Sequence, residues 1–167
     1  TDTDPVPFVG AWASGGNLST ARQGITGAGT QTAGLVAGGE GAPPGGISQG
    51  AKAEEYDGSS FSEQNDMNTA KTTASALGIQ TNALVAGGIS PAGTFALTET
   101  YDGTSFTEVN DMNTARTNMA ASGVVTAGLV FGGLVGSTLQ DKTEEFDGTS
   151  WTESGDLNTA RKQLAGC

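Results

Sequence analysis

The chain contains no histidine among its 167 residues. Without an imidazole, the sequence excludes Ser-His-Asp and Cys-His nucleophilic systems, histidine-ligated zinc or copper, and acid–base catalysis by histidine. Cysteine occurs once, at Cys167, so no disulfide can form within these residues. We interpret Cys167 as an accidental terminal thiol, and a bridge to another chain is the alternative.

Basic residues, aromatic residues and long apolar runs are also scarce. Lys and Arg number 7 against 18 Asp and Glu, which gives a formal net charge of -11. A surface this acidic repels phosphate backbones, so nucleic acid is not an expected partner. No uninterrupted apolar run reaches the length that crosses a bilayer, so membrane insertion is not expected either.

Glycine is abundant, with 27 copies, and alanine, threonine and serine are frequent. The glycines follow no Gly-X-Y triplet, which excludes collagen. Long helices are not expected, because Gly, Thr, Ser and Asn are poor helix formers.

A phrase of five residues occurs four times and organises the chain. It reads Leu/Met, Asn/Ser, Thr, Ala, Arg/Lys, and its copies begin at Leu18, Met67, Met112 and Leu157, with spacings of 49, 45 and 45 residues. This period is typical of folds whose units bury their apolar faces by stacking on neighbours. Side chains that recur with the period are therefore expected to build the unit.

Each unit continues with the same three landmarks. In the second unit they are an apolar run that ends in two glycines (residues 83–88), then Tyr101-Asp102-Gly103, then a lone aromatic residue, Phe106. Asp-Gly between extended segments is a strong hairpin signal, because both residues tolerate positive φ. We predict that each Asp-Gly joins the third and fourth of four short antiparallel strands, and that the glycine pair ends the second strand.

This order resembles the kelch motif, in which a double glycine follows the second strand and a Tyr and a Trp come later at fixed distances. Phe61 and Phe106 stand where the motif has Trp. The combination of Asn-Thr-Ala-Arg with Asp-Gly-Thr-Ser-Trp/Phe-Thr-Glu is similar to the repeat sequences of kelch-like proteins of marine bacteriophages. The resemblance implies an all-β fold of kelch-like β-propeller blades and a role in the virion.

Three complete blades with partial strands at both ends are predicted. Trp12 lies six residues before Leu18, as Trp151 lies six before Leu157, so a preceding outer strand is expected. The predicted units are residues 1–17 (outer strand of a preceding blade), 18–66, 67–111 and 112–156 (blades 1 to 3), and 157–167 (first strand of a following blade). Three blades are too few to close a ring. We expect either part of a larger propeller or completion by oligomerisation.

Acidic residues recur at four positions of each unit. They are Glu54, Glu99, Glu144, Asp57, Asp102, Asp147, Glu63, Glu108, Glu153, Asp66, Asp111 and Asp156. Paired carboxylates can hydrolyse glycosidic bonds, but an equivalent set in every unit favours turn-forming and blade-contact roles. Calcium binding by Asp66, Asp111 and Asp156 is the weaker alternative to local hydrogen bonding. No catalytic residue, metal or cofactor is assigned.

The basic residue that ends each phrase is a candidate for charge-dependent contacts. These residues are Arg22, Lys71, Arg116 and Arg161. An ion pair or carbonyl contact with a recurring Glu or Asp is the first interpretation. A ring of anion-binding groups near the propeller axis is the alternative.

The loop after the glycine pair is the least regular part of each unit. It carries the apolar residues Phe95, Leu134, Val135 and Leu139, which loop chemistry does not require. Irregular loops on a rigid scaffold often carry recognition, so Phe95, Leu134 and Leu139 are the candidate binding residues. Covering a blade face is the alternative role.

The expected function is non-enzymatic. The resemblance implies a bacteriophage tail or surface component, located on the virion surface or extracellular, that acts in assembly or host-surface attachment. Its expected partners are other protein subunits, copies of itself or virion proteins, with cell-surface glycan as a further candidate. A cellular kelch-type interaction module is the alternative. A fragment of a galactose-oxidase-like enzyme is less favoured, because that copper chemistry needs histidine ligands.

Overall fold

A computed structural model describes residues 14–41 and 50–166 of the chain. These residues form strands and turns and contain no helix, so the predicted all-β class is confirmed. Most of the predicted outer strand in residues 1–17, and Cys167, lie outside the described residues.

The strands form three four-stranded antiparallel sheets and three two-stranded pairs. Sheet 1 contains β2 (Thr26–Thr30), β3 (Ala33–Ala37), β5 (Ala53–Tyr56) and β6 (Phe61–Glu63). Sheet 2 contains β7 (Ser75–Ile79), β8 (Asn82–Ala86), β11 (Thr98–Tyr101) and β12 (Phe106–Val109). Sheet 3 contains β13 (Ala120–Val124), β14 (Ala127–Phe131), β17 (Thr143–Phe146) and β18 (Trp151–Glu153). The pairs are β1 (Arg22–Gln23) with β4 (Glu40–Gly41), β9 (Ile89–Ser90) with β10 (Gly93–Thr94), and β15 (Leu134–Val135) with β16 (Thr138–Leu139).

The predicted hairpins are confirmed in all three sheets. Asp-Gly follows the third strand each time, and Gly58, Gly103 and Gly148 have φ of 95°, 92° and 96°. A side chain other than glycine is disfavoured at such φ values. Across each hairpin two rings pack with centroids 4.6–4.9 Å apart, as Tyr101 and Phe106 do in sheet 2.

The double glycine ends the second strand where the following phrase passes close to the backbone. At Gly87, with φ of 65°, a Cβ atom would lie 2.5 Å from the carbonyl oxygen of Arg116. No side chain fits at that distance, so glycine is required there. The crowded backbone that the sequence predicted at this position is present.

The phrase precedes the first strand of each four-stranded sheet. In each unit the first strand begins four residues after the basic residue. Two residues after it the backbone is left-handed, at Gly24, Thr73, Asn118 and Gln163. A left-handed residue interrupts extended structure, so it separates the phrase from the first strand of the sheet. Residues 157–166 contain no strand, in line with the other units, because the position at which a first strand would begin corresponds to residue 165.

The sheets follow one another in a row, because β7 packs beside both β2 and β13. Two hydrophobic clusters fill the spaces between them. Side chains alternate along β8: Ala83 and Val85 belong to the cluster shared with sheet 1, and Leu84 to the one shared with sheet 3. Sheet 2 is thus buried on both faces, while sheets 1 and 3 stand at the two ends.

Candidate binding surface

Two small hairpins, β9–β10 and β15–β16, occupy the irregular loops between the second and third strands of sheets 2 and 3. They project from the same end of successive sheets, because they occupy equivalent places in the repeat. The corresponding loop of sheet 1 lies mostly in residues 42–49, outside the described part.

Backbone hydrogen bonds hold both hairpins against the residue that follows the phrase of their own unit. Ile89 and Thr72 exchange two bonds of 2.9 Å, and Leu134 and Thr117 exchange bonds of 2.8 and 3.1 Å. Such two-bond bridges fix the base of each hairpin, so the tips are presented from a rigid support.

The three predicted binding residues lie on or beside these hairpins, in different environments. Leu139 is 47% exposed, whereas its cross-strand partner Leu134 is half-buried. Phe95 is also half-buried, and its backbone N–H and carbonyl bond Gly88 and Arg116. Val135, at 39% exposed, is opposite Thr138 and faces the other side of the same hairpin, because side chains alternate along a strand. The exposed part of the candidate surface is therefore the tip of β15–β16.

The basic residues of the first three phrases lie in buried ion pairs. Arg22 reaches Glu54 at 2.6 Å, Lys71 reaches Glu99 at 3.0 Å and Arg116 reaches Glu144 at 2.7 Å, with side chains 0–1% exposed. Arg116 Nη1 also donates to the carbonyls of Gly132 and Lys142. The geometry matches the ion-pair interpretation.

The alternative, an anion-binding ring, does not fit these positions. The side chains of Arg22, Lys71 and Arg116 are enclosed by protein and already paired with carboxylates, so a dissolved anion cannot reach them. Arg161 is exposed, and its Nε donates to the carbonyl of Thr159, two residues earlier. The four basic groups therefore do not share a surface.

The partner glutamates also hold the start of each phrase. The second carboxylate oxygen of Glu144 accepts the backbone N–H of Asn113 at 2.6 Å, and Glu54 and Glu99 do the same for Ser19 and Asn68. One buried carboxylate thus anchors both ends of a five-residue turn. Both oxygens of each of these glutamates therefore contact groups within the fold.

The recurring aspartates of the hairpins act in turns. Asp147 Oδ1 accepts the backbone N–H groups of Ser150 and Thr149 at 2.8 Å. These bonds favour the charged carboxylate and lower its pKa; the backbone N–H of Ser150 has the larger effect. Asp57 and Asp102 make equivalent bonds, and their pKa values are lowered in the same way.

Residues in the loop before a phrase bond either the next unit or their own. The side chains of Asn65 and Asn110 donate to the carbonyls of Thr104 and Thr149 in the hairpin of the next sheet, both at 2.8 Å. Asp156 pairs with Lys142 at 3.2 Å. Across residues 14–41 and 50–166, no group of three or more Cys, Asp and Glu side chains is placed to hold a metal ion.

No helix with the length and apolar character needed to cross a membrane occurs in the described part of the chain. No protein-family model and no curated protein sequence matches the chain.

Proposed function

We propose that the chain is a non-enzymatic structural or binding module built from kelch-like propeller blades, and that it serves in a bacteriophage virion, at the tail or surface, in assembly or host-surface attachment. One observation carries the proposal. The charged residues that recur at buried positions are paired inside the fold, whereas the exposed apolar residues Val135 and Leu139 stand on an irregular hairpin at one end of sheet 3.

Repetition suits this role. Hairpins in equivalent positions present several weak contacts from one rigid support, and linked weak contacts add to a strong overall affinity. The apolar tip of β15–β16 suits a protein subunit or the apolar face of a sugar ring better than an anionic ligand. The resemblance to kelch-like phage repeats supports the location, and fold alone does not establish it.

The binding test compares two ends of the same molecule. We expect Leu139→Ser and Val135→Ser to weaken binding of the labelled chain to purified virion proteins or to a glycan array. Ile79→Ser is the matched control, because Ile79 is 51% exposed at the opposite end of sheet 2. Equal loss in all three variants, or no loss in the hairpin variants, would remove the hairpins from the proposed function.

The location test is separate. Mass spectrometry of gradient-purified virus particles from the source of the chain should detect its peptides in stoichiometric amounts. Recovery only from the soluble cellular fraction would replace this proposal with the cellular kelch-type interaction module.

A further inference from the structure

The outer faces of sheets 1 and 3 hold residues whose repeat equivalents are buried between two sheets. On the outer face of sheet 1, Val36 and Tyr56 are half-buried, whereas their repeat equivalents Val85 and Tyr101 are fully buried against sheet 1. Open grooves lie on the outer faces of both end sheets. Exposure at these positions therefore reflects that, among residues 14–41 and 50–166, no further sheet packs on these two faces.

The outer face of sheet 3 is the complementary half. Leu129 is half-buried there, whereas its equivalents Leu35 and Leu84 are buried against the following sheet. Two interfaces join consecutive sheets, one between sheets 1 and 2 and one between sheets 2 and 3. In each, the face that holds the repeat equivalent of Leu129 packs on the face that holds the repeat equivalent of Val36. The molecule thus shows twice how its two end faces can pack together.

Polar side chains at these interfaces occur in matched combinations. The Tyr101 hydroxyl donates to Glu55 Oε1 at 3.0 Å across the first interface. At the second interface the equivalent positions hold Phe146 and Thr100, so neither a phenol nor a carboxylate needs a partner. The end faces carry Tyr56 and Glu145, which reproduce the Tyr–Glu combination.

Residues 157–166 already lie against sheet 3 in the way that a following phrase does. The Gly133 N–H donates to the Arg161 carbonyl at 2.8 Å, as the Gly88 N–H donates to the Arg116 carbonyl at 2.9 Å. Residues 18–27 begin with the same Leu-x-Thr-Ala-Arg sequence as residues 157–166. Residues 18–27 of an arriving copy can therefore offer the Gly133 N–H the carbonyl of Arg22 in place of that of Arg161. Residues 14–17 correspond to residues 153–156, so they must leave their place beside sheet 1, where the Gly16 N–H donates to the Ser59 carbonyl at 3.1 Å.

We propose that the outer face of sheet 1 docks on the outer face of sheet 3 of a second copy, head to tail, with residues 18–27 displacing residues 157–166. The Tyr56 hydroxyl then donates to the Glu145 carboxylate of the other copy. The contact uses two different faces, so it can continue from copy to copy. The inference concerns the end faces and is independent of the proposed role of the hairpins.

Sedimentation velocity of the full chain from about 10 μM to about 1 mM measures this association. We expect species larger than the monomer, and more of them at higher salt, because each copy carries a net charge of -11 that salt screens. Leu164→Asp should increase association, because Leu164 contacts sheet 3 beside Gly132 and the substitution loosens the competing segment.

Two blocking variants test the direction of docking. Val36→Arg blocks one face and Leu129→Arg the other, so each variant alone should be monomeric. A mixture of the two retains one intact pair of faces and should form a dimer and nothing larger. Ile79→Arg is the control on sheet 2 and should associate like the unmodified chain.

A milder pair of variants tests the hydrogen bond without a large change in either face. Tyr56→Phe and Glu145→Thr should each weaken association by about threefold to tenfold. Together they recreate the Phe146–Thr100 combination, so the double variant should be no weaker than either single one.

The proposal is overturned if the unmodified chain and Leu164→Asp both stay monomeric over this range, or if the mixture forms no dimer. It is also overturned if association persists in the blocked variants. Should an arginine variant fail to fold, as circular dichroism would reveal, additive losses in the Tyr56 and Glu145 variants would overturn the proposal equally.

Discussion

Lys71 Nζ lies 3.0 Å from Glu99 Oε1, and both side chains are completely buried. The pair is close enough for an ion pair but lacks hydrogen-bond geometry, and neither atom has a hydrogen-bond partner among the described residues. In the other two sheets an arginine occupies the position and donates to two carbonyl groups as well as to its glutamate. Of the three equivalent buried ion pairs, Lys71–Glu99 thus makes the fewest hydrogen bonds.

Lys71→Arg is expected to stabilise the chain. The guanidinium fork can reach Glu99 and the carbonyls of Gly87 and Leu97, which stand where Arg116 finds its two carbonyls. We expect the free energy of unfolding to rise by about 1–2 kcal/mol, measured by urea denaturation. Arg116→Lys is the reverse control and should lower it. An unchanged or lower stability of Lys71→Arg would show that the site has no room for the fork.

Thr73→Asn tests the left-handed residue after the phrase. Thr73 has φ of 53°, a conformation that costs a β-branched residue about 1–2 kcal/mol, whereas Asn tolerates it. Asn118 already occupies the equivalent position in the next unit with φ of 55°. We expect the free energy of unfolding, measured by thermal unfolding, to rise by about 1 kcal/mol. The loss of the two hydrogen bonds of the Thr73 hydroxyl, to the Thr72 carbonyl and to the Thr117 hydroxyl, reduces this gain.

The control for that prediction is Gly24→Thr. Gly24 has φ of 63°, and an added Cβ would lie 2.1 Å from the Thr72 hydroxyl oxygen. Substitution there should destabilise the chain. If both variants lowered stability equally, backbone conformation would not be the governing factor.

Tyr101→Phe tests the bond between sheets 1 and 2. Its hydroxyl is buried and bonded to Glu55, and burial, followed by that bond, raises the pKa of Tyr101. Losing the bond should cost about 1 kcal/mol at neutral pH. The double variant Tyr101→Phe, Glu55→Thr recreates the Phe146–Thr100 combination and should recover most of this loss.

The same residue predicts a response to alkali. Because the folded pKa is raised, the stabilisation is complete below the ordinary tyrosine pKa of about 10 and is lost as the pH rises from there toward the folded value. Chemical denaturation at increasing alkaline pH should show this loss in the unmodified chain and less of it in Tyr101→Phe. Equal slopes would mean that other groups govern alkaline stability.

Asp147→Asn tests the aspartate turns in acid. The pKa of Asp147 is lowered by backbone N–H bonds in the folded chain, so its stabilisation is present above the ordinary pKa of about 3.9. It is lost as the pH falls from there through the lowered folded value. Asn keeps an acceptor oxygen without a charge, so the variant should lose less stability on acidification. Glu108→Gln, an exposed strand position, is the charge-matched control.

Much of this architecture could be predicted from local sequence. The Asp102-Gly103 turn, the strands on either side of it and the glycine pair at Gly87 depend on φ preferences and on neighbours a few residues away. The repeat also indicated that the recurring basic and acidic residues are structural. The period could not reveal the left-handed position, because Thr73, Asn118 and Gln163 give no common residue signal for it.

Other features depended on the tertiary structure. Glu99 was one of several recurring carboxylates that could have paired with Lys71, and only the stacking of strands brought these two together. The small β9–β10 and β15–β16 hairpins also had no recurring pattern in sequence.

By itself, the sequence determined the repeating unit, its turns and its β character, because these follow from backbone preferences and residue spacing. The tertiary structure decided which charges pair, which equivalent side chains are buried and which remain open at the ends. Burial depends on a neighbouring sheet: Val85 and Val36 occupy the same place in the repeat, and only Val85 has another sheet packed against it.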